Sequence, residues 1–563
     1  MSNYNSELQA LIQEFRNLPI TNIQYGVEHI YEDIASNFLE HAEQVGLNEA
    51  KKCLDGTRVE ILTEIIDWIN NKDAATPRIF WLRGQAGKGK SAIAHTIALH
   101  ARNVGMLGSC FCFSHVRQHE ELHMKLFPTI ARDLASRNLR LRLLLDEVVS
   151  KNYSSKKRPN IAEEWQMLIL EPLSRLEGSF TGHVVLVIDA LDESGPEDTR
   201  AAILHVLAAC GAELPANIRI LLTSQPLPDI SKALNINQHG ILAKSLDDIG
   251  NESSIRDIRL YVSTRLTKLG DVFFDQDFRN LAEKSDGVFE WARLACDFVS
   301  DKNGEMLQKA FDEIMSHTPG SKRTLLDEMY TTFLKDLIGG SEERHLAFCS
   351  VMRQILWLKE PLPISALNLL RDKFPRRADR YPVNLVLNSM AMVLAGVTNE
   401  FTPIRPLHAS FYGFLLDEQR SGREFFIERQ DIHHDLTVAS FSVMQSGLRF
   451  NICGLETSYL CNSEVEGLEK RVEENIPPHL LYSCRFWAAH LQDVEFDSKL
   501  LQLVSKFVSG ELMLFWLEAL GVSKLIGEAY WALSSTERWL QVRLFSSNVG
   551  CHLNSKLAGK QSG

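Results

Sequence analysis

The sequence predicts an α/β domain, with a mostly parallel sheet and helices on both of its faces, followed by a helical domain, a winged helix and a further all-α region. The α/β prediction rests on two observations. Between residues 78 and 249, short apolar runs rich in β-branched and aromatic residues alternate with helical stretches. A glycine-rich segment stands between the first apolar run and the first of these helices. After residue 253 the strand signals fade and helical periodicity continues.

Five apolar runs are predicted to form the sheet. In chain order they are RIFWL at 78–82, SCFCFS at 109–114, HVVLVIDA at 183–190, IRILLTS at 218–224 and GILAKSL at 240–246. The intervening helical stretches lie at 91–103, 126–138 and 200–211. A helix before the first strand is predicted to bury one face, formed by Val59, Leu62, Ile66 and Ile69.

Length and composition are those of a globular protein with several domains. The chain has 563 residues, 45% of them hydrophobic and 23% charged, which is more than one hydrophobic core supports. Its formal net charge of −12 argues against broad binding to nucleic acid or anionic membranes. No membrane span or secretory signal is expected. Most of the ten cysteines lie in apolar runs, so we expect reduced thiols in a cytoplasmic protein.

The glycine-rich segment has the pattern of a phosphate-binding loop, G-x-x-x-x-G-K-[ST]. Glycines let the backbone wrap closely around phosphates, and the following helix N-terminus favours their negative charge. The lysine would neutralise the β- and γ-phosphates, and the serine hydroxyl would bind Mg²⁺. The residues predicted to bind nucleotide here are Gly84, Gln85, Ala86, Gly87, Lys88, Gly89, Lys90 and Ser91.

Acidic residues follow the third predicted strand. Asp189 ends this apolar run, at the sheet edge where α/β proteins bind ligands, and is predicted to hold Mg²⁺ together with Ser91. Asp192 and Glu193 come one short turn later and are the predicted catalytic residues. They are suited to a second magnesium contact or to orienting an attacking water.

Two hydroxyl residues, Thr223 and Ser224, end the fourth predicted strand. Their position would place them beside the γ-phosphate, so both are predicted to contact nucleotide. The alternative is a plain exit from strand to turn, closed by Pro226.

The predicted domain boundaries follow from these signals. They are an N-terminal helical segment at 1–50, a nucleotide-binding domain at 51–250, a helical domain at 251–345, a winged helix at 346–420, a C-terminal helical region at 421–550 and a disordered tail at 551–563. The winged helix is predicted from a hairpin formed by AMVLAGV and FTPIRPLH on either side of TNE.

Six stretches in this order resemble the NACHT-type signal-transduction NTPases of fungi: CLDGTR, IFWLRGQAGKGKS, LFPTIARDLA, VLVIDALDE, ILLTSQP and PLHASFYGFLLD. These are nephrocystin-like, NLR-type members of the STAND NTPases that often carry C-terminal WD repeats. The resemblance extends over roughly 50–530. It implies a switch that ADP closes and ATP opens, homo-oligomerisation on activation, and an unknown protein effector in self/non-self recognition or programmed cell death.

The resemblance also implies roles for particular residues. Thr57 and Arg58 would lie near the adenine or ribose, and His408 would contact the ADP β-phosphate and close the domains. Where the family usually has arginine, this chain has Gln225, which cannot offset phosphate charge, so hydrolysis is expected to be slow. A turnover ATPase and a scaffold without nucleotide function stay open as alternatives, as does GTP in place of ATP.

Other patterns in the sequence resemble sites but have simpler structural explanations. The spacing of Cys110, Cys112, His115, His119 and His123 resembles that of metal ligands, but the two thiols alternate with phenylalanines on a predicted buried strand, which favours plain packing. His433 and His434 are expected on a helix surface. DNA binding by the winged helix is not favoured, because only a short basic cluster at 371–380 precedes the hairpin.

Overall fold

A five-stranded, wholly parallel sheet forms in the first half of the chain, and its strand order is β2-β3-β4-β1-β5. The strands are β1 Ile79–Arg83, β2 Leu107–Cys112, β3 Val184–Asp189, β4 Ile218–Ser224 and β5 Ile241–Ser245. All five coincide with the predicted apolar runs. The computed structural model describes residues 46–541 except 74, 115–121, 153–159, 176–181, 211–212, 235–239, 271, 305, 317–323, 430–431 and 458.

Helices surround this sheet. They are α1 Val59–Asn70, α2 Lys90–Asn103, α3 Leu122–Arg137, α4 Leu139–Asn152, α5 Ile161–Trp165, α6 Glu171–Ser174, α7 Glu197–Cys210 and α8 Pro228–Ala233. A π-helical turn, Gln166–Leu170, joins α5 to α6, and short 3₁₀ turns lie at Glu49–Lys51, Leu191–Glu193 and Leu246–Asp248.

The sheet separates two hydrophobic cores, because side chains alternate along each strand. Ile79 and Trp81 of β1 join the core that includes buried residues of α3, α5 and α7. Phe80 and Leu82 join the core that includes buried residues of α1 and α2. Helices therefore cover both faces, as predicted.

Of the predicted buried face of α1, Ile69 is buried, Leu62 and Ile66 pack partly buried against the same core, and the position of Val59 is wrong. Val59 is 49% exposed, and Trp68 sets the orientation of the helix. Its ring packs against Phe80 at 5.3 Å between centroids, and its indole N–H donates to the Pro77 carbonyl at 2.8 Å. The residues that α1 buries are Ile61, Ile65, Trp68 and Ile69.

The rest of the chain is mainly helical. Its helices are α9 Asn251–Leu266, α10 Asp275–Lys284, α11 Phe289–Ser300, α12 Met306–Ser316, α13 Leu325–Ile338, α14 Glu342–Trp357, α15 Ile364–Arg371, α16 Asn384–Leu387, α17 Ala409–Leu415, α18 Glu418–Phe425, α19 Ile432–Gly447, α20 Leu468–Asn475, α21 Pro478–Gln492, α22 Ser498–Val508, α23 Leu512–Val522 and α24 at 527–541. Two short strands, β6 Leu394–Ala395 and β7 Arg405–Pro406, pair at the position of the predicted hairpin.

The described residues belong to two compact units. The sheet unit comprises 46–341 and 406–426, and the helical unit comprises 342–405 and 427–541. The predicted winged-helix segment, 346–420, is thus divided between them, and the predicted domain boundaries stay a prediction. Almost all of the predicted N-terminal helical segment, 1–50, and the whole of the predicted tail, 551–563, lie outside the described residues.

The core of the helical unit is rich in aromatic residues. Trp487 and Trp516 are both fully buried, and each packs against Phe507, at 5.3 and 5.6 Å between centroids. Among the described residues, no single helix has both the length and the apolar character needed to cross a membrane, although α22 and α23, bent by 72° at their junction, pass that test together.

His433 is buried in this unit, so its expected surface position is wrong. It is 3% exposed, and its Nδ1 lies 2.9 Å from Nδ1 of His490. His434 is the half-buried one of the pair and lies near the carboxylates of Asp435 and Asp497.

Candidate nucleotide site

The predicted phosphate loop, residues 84–89, joins the end of β1 to the start of α2. Gly87 and Gly89 have φ values of +77° and +90°, a left-handed region that glycine occupies without strain. The chain therefore turns sharply twice just before α2. The Gln85 amide donates to both oxygens of the Asp247 carboxylate, at 3.3 Å each, which fixes the first part of the loop.

Lys90, the first residue of α2, folds back over this loop. Its ammonium donates to the carbonyls of Gly84, at 2.7 Å, and Gln85, at 2.9 Å. Burial lowers the pKa of Lys90, while neighbouring carboxylates, first Asp192 and then Asp189, act to raise it. The structure thus brings the predicted phosphate-binding lysine and the predicted acidic residues together.

Asp189, at the end of β3, is 3% exposed and is held by Thr223. The Thr223 hydroxyl donates to Asp189 Oδ1 at 2.5 Å and accepts from the Ala190 amide at 3.0 Å. Ala190 has a φ of +57°, unusual for a residue with a Cβ. Ser224 differs from its neighbour, because its buried hydroxyl accepts from the Trp81 indole at 2.9 Å. Of the two predicted hydroxyls, only that of Thr223 bonds to the acidic cluster.

Asp192 is held by Gln225, a contact that sequence reasoning missed. The Gln225 backbone amide donates to one carboxylate oxygen at 3.1 Å, and its side-chain amide donates to the other at 2.8 Å. The Arg200 guanidinium donates to the Asp192 carbonyl, at 3.3 Å, and to that of Gly195, at 2.7 Å. Gln225 therefore orients a carboxylate at the position where the resembled family usually has arginine. Glu193 is half-buried beside Asp192.

The residues predicted to hold magnesium fit that ion chemically. Ser91 is the second residue of α2, directly after the phosphate loop, and Asp189 ends β3. Mg²⁺ prefers hard oxygen ligands, usually one or two carboxylates with waters and phosphate oxygens. The Ser91 hydroxyl and the Asp189 carboxylate, which Thr223 orients, would hold the ion directly or through water.

Residues 56–225 match the family model described as nephrocystin 3, N-terminal. This part of the chain has the fold of a P-loop NTPase. The match includes the phosphate loop, the acidic residues after β3 and the end of β4, and it ends at Gln225. None of the curated proteins compared matches the chain.

Two solved structures are distantly similar to this chain. The Walker-type ATPase PABY2304 of Pyrococcus abyssi is 12% identical, with a TM-score of 0.33, over 67% of this chain and 99% of that one. A chain of the structure of Drosophila ORC bound to DNA is 11% identical, with a TM-score of 0.26, over 84% of this chain and 96% of that one.

Arg58 contacts the predicted phosphate loop directly. It is 3% exposed and has a φ of +57°, and its own amide donates to Asp257 at 2.9 Å. Its guanidinium donates to the Lys88 carbonyl at 2.8 Å and lies over the Phe289 ring, 4.6 Å from the centroid. The Thr57 hydroxyl donates to a backbone carbonyl three residues earlier, at 2.7 Å. The adenine or ribose contacts predicted for both residues stay predictions.

A turn at residues 286–290 contacts the phosphate loop, and sequence reasoning missed it. The Lys88 ammonium donates to the Asp286 carbonyl at 2.8 Å, and the Glu290 amide donates to the Gly87 carbonyl at 3.2 Å. A Cβ added at Gly87 would lie 2.8 Å from Cγ1 of Val288. The available signal was local: SDG directly before an amphipathic helix marks a tight turn.

His408 is the N-cap of α17, and this fixes its tautomer. The Ser410 backbone amide donates to His408 Nδ1 at 3.2 Å. Because an amide can only donate, Nδ1 accepts, and the neutral ring carries its proton on Nε2. Burial lowers the pKa of His408, Glu290 acts to raise it and Lys90 acts to lower it. The ring is thus a neutral imidazole that can donate a hydrogen bond through Nε2.

The segment that carries His408 is anchored on α13. Tyr330 packs against Phe411 and Phe414, at 5.1 and 5.4 Å between ring centroids, and its hydroxyl lies 2.8 Å from that of Ser410. Arg420 forms an ion pair with the buried carboxylate of Asp327 at 2.7 Å. Residues 406–426 therefore pack as part of the sheet unit, although the helical unit precedes them in the sequence.

Proposed function

We propose that this P-loop NTPase is a nucleotide-dependent switch of the NLR type, closed when it holds ADP and open when it holds ATP. In this proposal it acts in the cytoplasm, assembles into homo-oligomers when open and signals through a protein effector. Fungal self/non-self recognition or programmed cell death is the proposed setting, since the NACHT-like motifs resemble proteins of that kind.

The observation that carries this proposal is the state of His408. A switch needs a residue outside the phosphate loop that responds to what the loop holds. His408 stands more than 300 residues after the loop, yet it lies in the same compact unit as the loop, and its neutral ring carries its proton on Nε2. Its Nε2–H can donate to a terminal phosphate oxygen without adding a positive charge. A neutral donor of this kind suits recognition of the ADP β-phosphate by the segment 406–426.

Differential affinity supplies the mechanism of switching. ADP shifts the equilibrium towards the closed form only as far as it binds that form better than the open one. A hydrogen bond from His408 to the β-phosphate exists only when 406–426 is docked, so ADP would favour docking. The γ-phosphate of ATP would occupy the same space. It would remove that hydrogen bond and favour undocking of the segment 406–426.

A turnover ATPase is the second candidate, and one observation favours it. Gln225 orients both oxygens of Asp192 beside Lys90, an arrangement suited to positioning a water for attack on the γ-phosphate. Sustained turnover of more than about one per second, independent of protein concentration, would favour this enzyme over the switch.

His408→Asn tests the switch with little disturbance of the fold. Asparagine is a good N-cap and keeps an acceptor for the Ser410 amide, but it lacks a donor at the Nε2 position. We expect an unchanged melting temperature without nucleotide and a loss of ADP affinity of roughly 10- to 100-fold, the value of a hydrogen bond to a charged group. ATP affinity should change less than about threefold. Titration calorimetry with both nucleotides measures the ratio of ADP affinity to ATP affinity in each variant.

The matched variant is His408→Gln, whose side-chain amide can place a donor near the Nε2 position, and it should retain part of the ADP preference. Equal losses for ADP and ATP in the asparagine variant would contradict the switch. Purified protein should also carry ADP, identified by mass after release from the protein. Protein that carries no nucleotide and gains no thermal stability from added ADP would point to the scaffold alternative.

A further inference from the structure

Three possible metal ligands meet between α2 and β2. His95 lies on α2, and Cys110 and Cys112 lie on one face of β2. One ligand atom from each residue lies within 4.8 Å of the other two. The shortest described separation joins His95 Nε2 to Cys112 Sγ, at 3.9 Å.

This histidine differs from those that the sequence suggested. His115 and His119 lie outside the described residues, and His123, on α3, is not part of the cluster. His95 precedes both cysteines in the sequence and reaches them because α2 packs against the sheet. Sequence spacing alone could not show this contact, since it joins a helix to a strand.

The separations suit a tetrahedral zinc ion. With Zn–S distances of about 2.3 Å and Zn–N distances of about 2.0–2.1 Å, ligand atoms in a tetrahedron lie roughly 3.5–3.8 Å apart. The observed 3.9 Å between sulfur and nitrogen is close to this range. Small side-chain rotations would therefore bring the three atoms to bonding distance.

Burial and ligand type both favour a soft cation. His95 is 2% and Cys110 7% exposed, so water competes poorly at the cluster. Thiolate and imidazole together select zinc over the magnesium expected at the phosphate loop. The Gly46 carbonyl oxygen lies 4.0 Å from Cys112 Sγ and is near enough to supply or orient an oxygen at the fourth position.

We propose that His95, Cys110 and Cys112 form a zinc(II) site separate from the nucleotide site. Zinc replaces the two thiol protons, which pass to solvent, and bonds to His95 through Nε2. The ion would connect α2, which carries Lys90, to β2, whose Cys112 pairs in register with Asp189 on the neighbouring strand.

Zinc binding should break the hydrogen bond between the Asn48 amide and His95, which gives a second test of the site. The Asn48 backbone amide donates to His95 Nδ1 at 3.2 Å, so the metal-free ring carries its proton on Nε2. Coordination through Nε2 moves this proton to Nδ1, which then no longer accepts. The exposed Asn48 amide must turn towards water, so hydrogen exchange around residues 47–51 should become faster when zinc binds.

Metal titration of the reduced, chelator-stripped full chain tests the site. We expect one zinc per chain in competition with a chromophoric chelator, and cobalt(II) should give the charge-transfer absorption of two thiolates in the wild-type protein. Cys112→Ser and His95→Gln should each weaken zinc binding by about 100-fold or more, since even an outer-sphere partner is worth about 10- to 100-fold. Cys296→Ala, which removes a fully buried thiol from α11, is the matched control and should bind as the wild type does.

Several outcomes would overturn the proposal. They are unchanged affinity in both ligand variants, cobalt bands without thiolate character, binding of copper(I) but not of zinc, and unchanged exchange near Asn48 in zinc-loaded protein. The cobalt spectrum and the exchange measurement need no variant, so they decide the question even if a substitution prevents folding. Lys90→Ala should retain zinc, which separates this result from any failure of the nucleotide proposal.

Discussion

The phosphate loop has two sides that are built in different ways. On one side, which we call the carboxylate edge, Asp189 and Asp192 are each held by a side chain from the end of β4, Thr223 and Gln225. On the other, which we call the closing side, the turn at 286–290 bonds to the loop through backbone groups, and His408 is presented by a helix cap.

In the proposed function, this difference assigns hydrolysis to the carboxylate edge and nucleotide retention to the closing side. The carboxylate edge lies within residues 56–225, the part that matches the family model, and its contacts fix the carboxylates tightly. The closing side comes from segments roughly 200 to 320 residues further along the chain, and its contacts to the loop are few and partly exposed. Substitutions on the edge should therefore change turnover, and substitutions on the closing side should change which nucleotide is retained and how tightly.

The largest effect is expected for Lys90→Ala, because both sides depend on this residue. Removal of the ammonium should weaken ADP and ATP binding by about 100-fold or more, since loss of one partner of a buried charge pair costs roughly 2–5 kcal/mol. Titration with a fluorescent nucleotide measures the change in affinity. Lys88→Ala, in the same loop but bonded to the Asp286 carbonyl, should cost less than about tenfold. Equal losses in the two variants would contradict the assignment of Lys90.

A pair of glycine substitutions tests the closing side. Gly87 and Gly89 both have left-handed φ values, so alanine at either position should cost about 1–2 kcal/mol in free energy of unfolding. A Cβ at Gly87 also meets Val288 at 2.8 Å, whereas one at Gly89 meets nothing within 4 Å. Gly87→Ala should therefore be less stable than Gly89→Ala by about 1–3 kcal/mol in urea denaturation. Equal destabilisation would show that the 286–290 turn contributes little.

The smallest effect is expected for Gln225→Ala, which removes the side-chain hydrogen bond to the Asp192 carboxylate. Hydrolysis of bound ATP in a single turnover should slow by roughly tenfold, since Asp192 loses the side-chain donor that orients it. The backbone donor remains, which limits the loss. Nucleotide affinity should change less than about threefold, because Gln225 holds Asp192 and not the phosphate. Affinity that falls as much as the hydrolysis rate would show that Gln225 contacts the nucleotide after all.

Local patterns predicted the sheet and the centre of the site. All five strands and the loop containing Lys90 follow from alternating apolar runs and one glycine pattern, because such signals depend on neighbouring residues. Asp189 follows from its place at the end of a buried run. The strand order, with β4 between β1 and β3, could not be predicted, since it depends on which strands pair.

The remainder depends on contacts between distant residues. The bond from Gln225 to Asp192 spans 33 positions and that from Lys88 to Asp286 spans 198, so no local spacing encodes them. The buried face of α1 is set by the packing of Trp68 on Phe80. His433 is buried against another helix, where its Nδ1 shares a hydrogen bond with Nδ1 of His490.

Ala190 shows what the carboxylate edge costs the protein. Its backbone is left-handed at a residue with a Cβ, a conformation that gives up roughly 1–2 kcal/mol of folding free energy. The Thr223 hydroxyl, bonded to both the Ala190 amide and Asp189, keeps the chain in this bend. If an ion or phosphate drew Asp189 away from Thr223, the bend would lose one of its supports and could relax. The end of β3 therefore keeps a strained residue next to the predicted magnesium ligand Asp189, and one threonine hydroxyl holds it there.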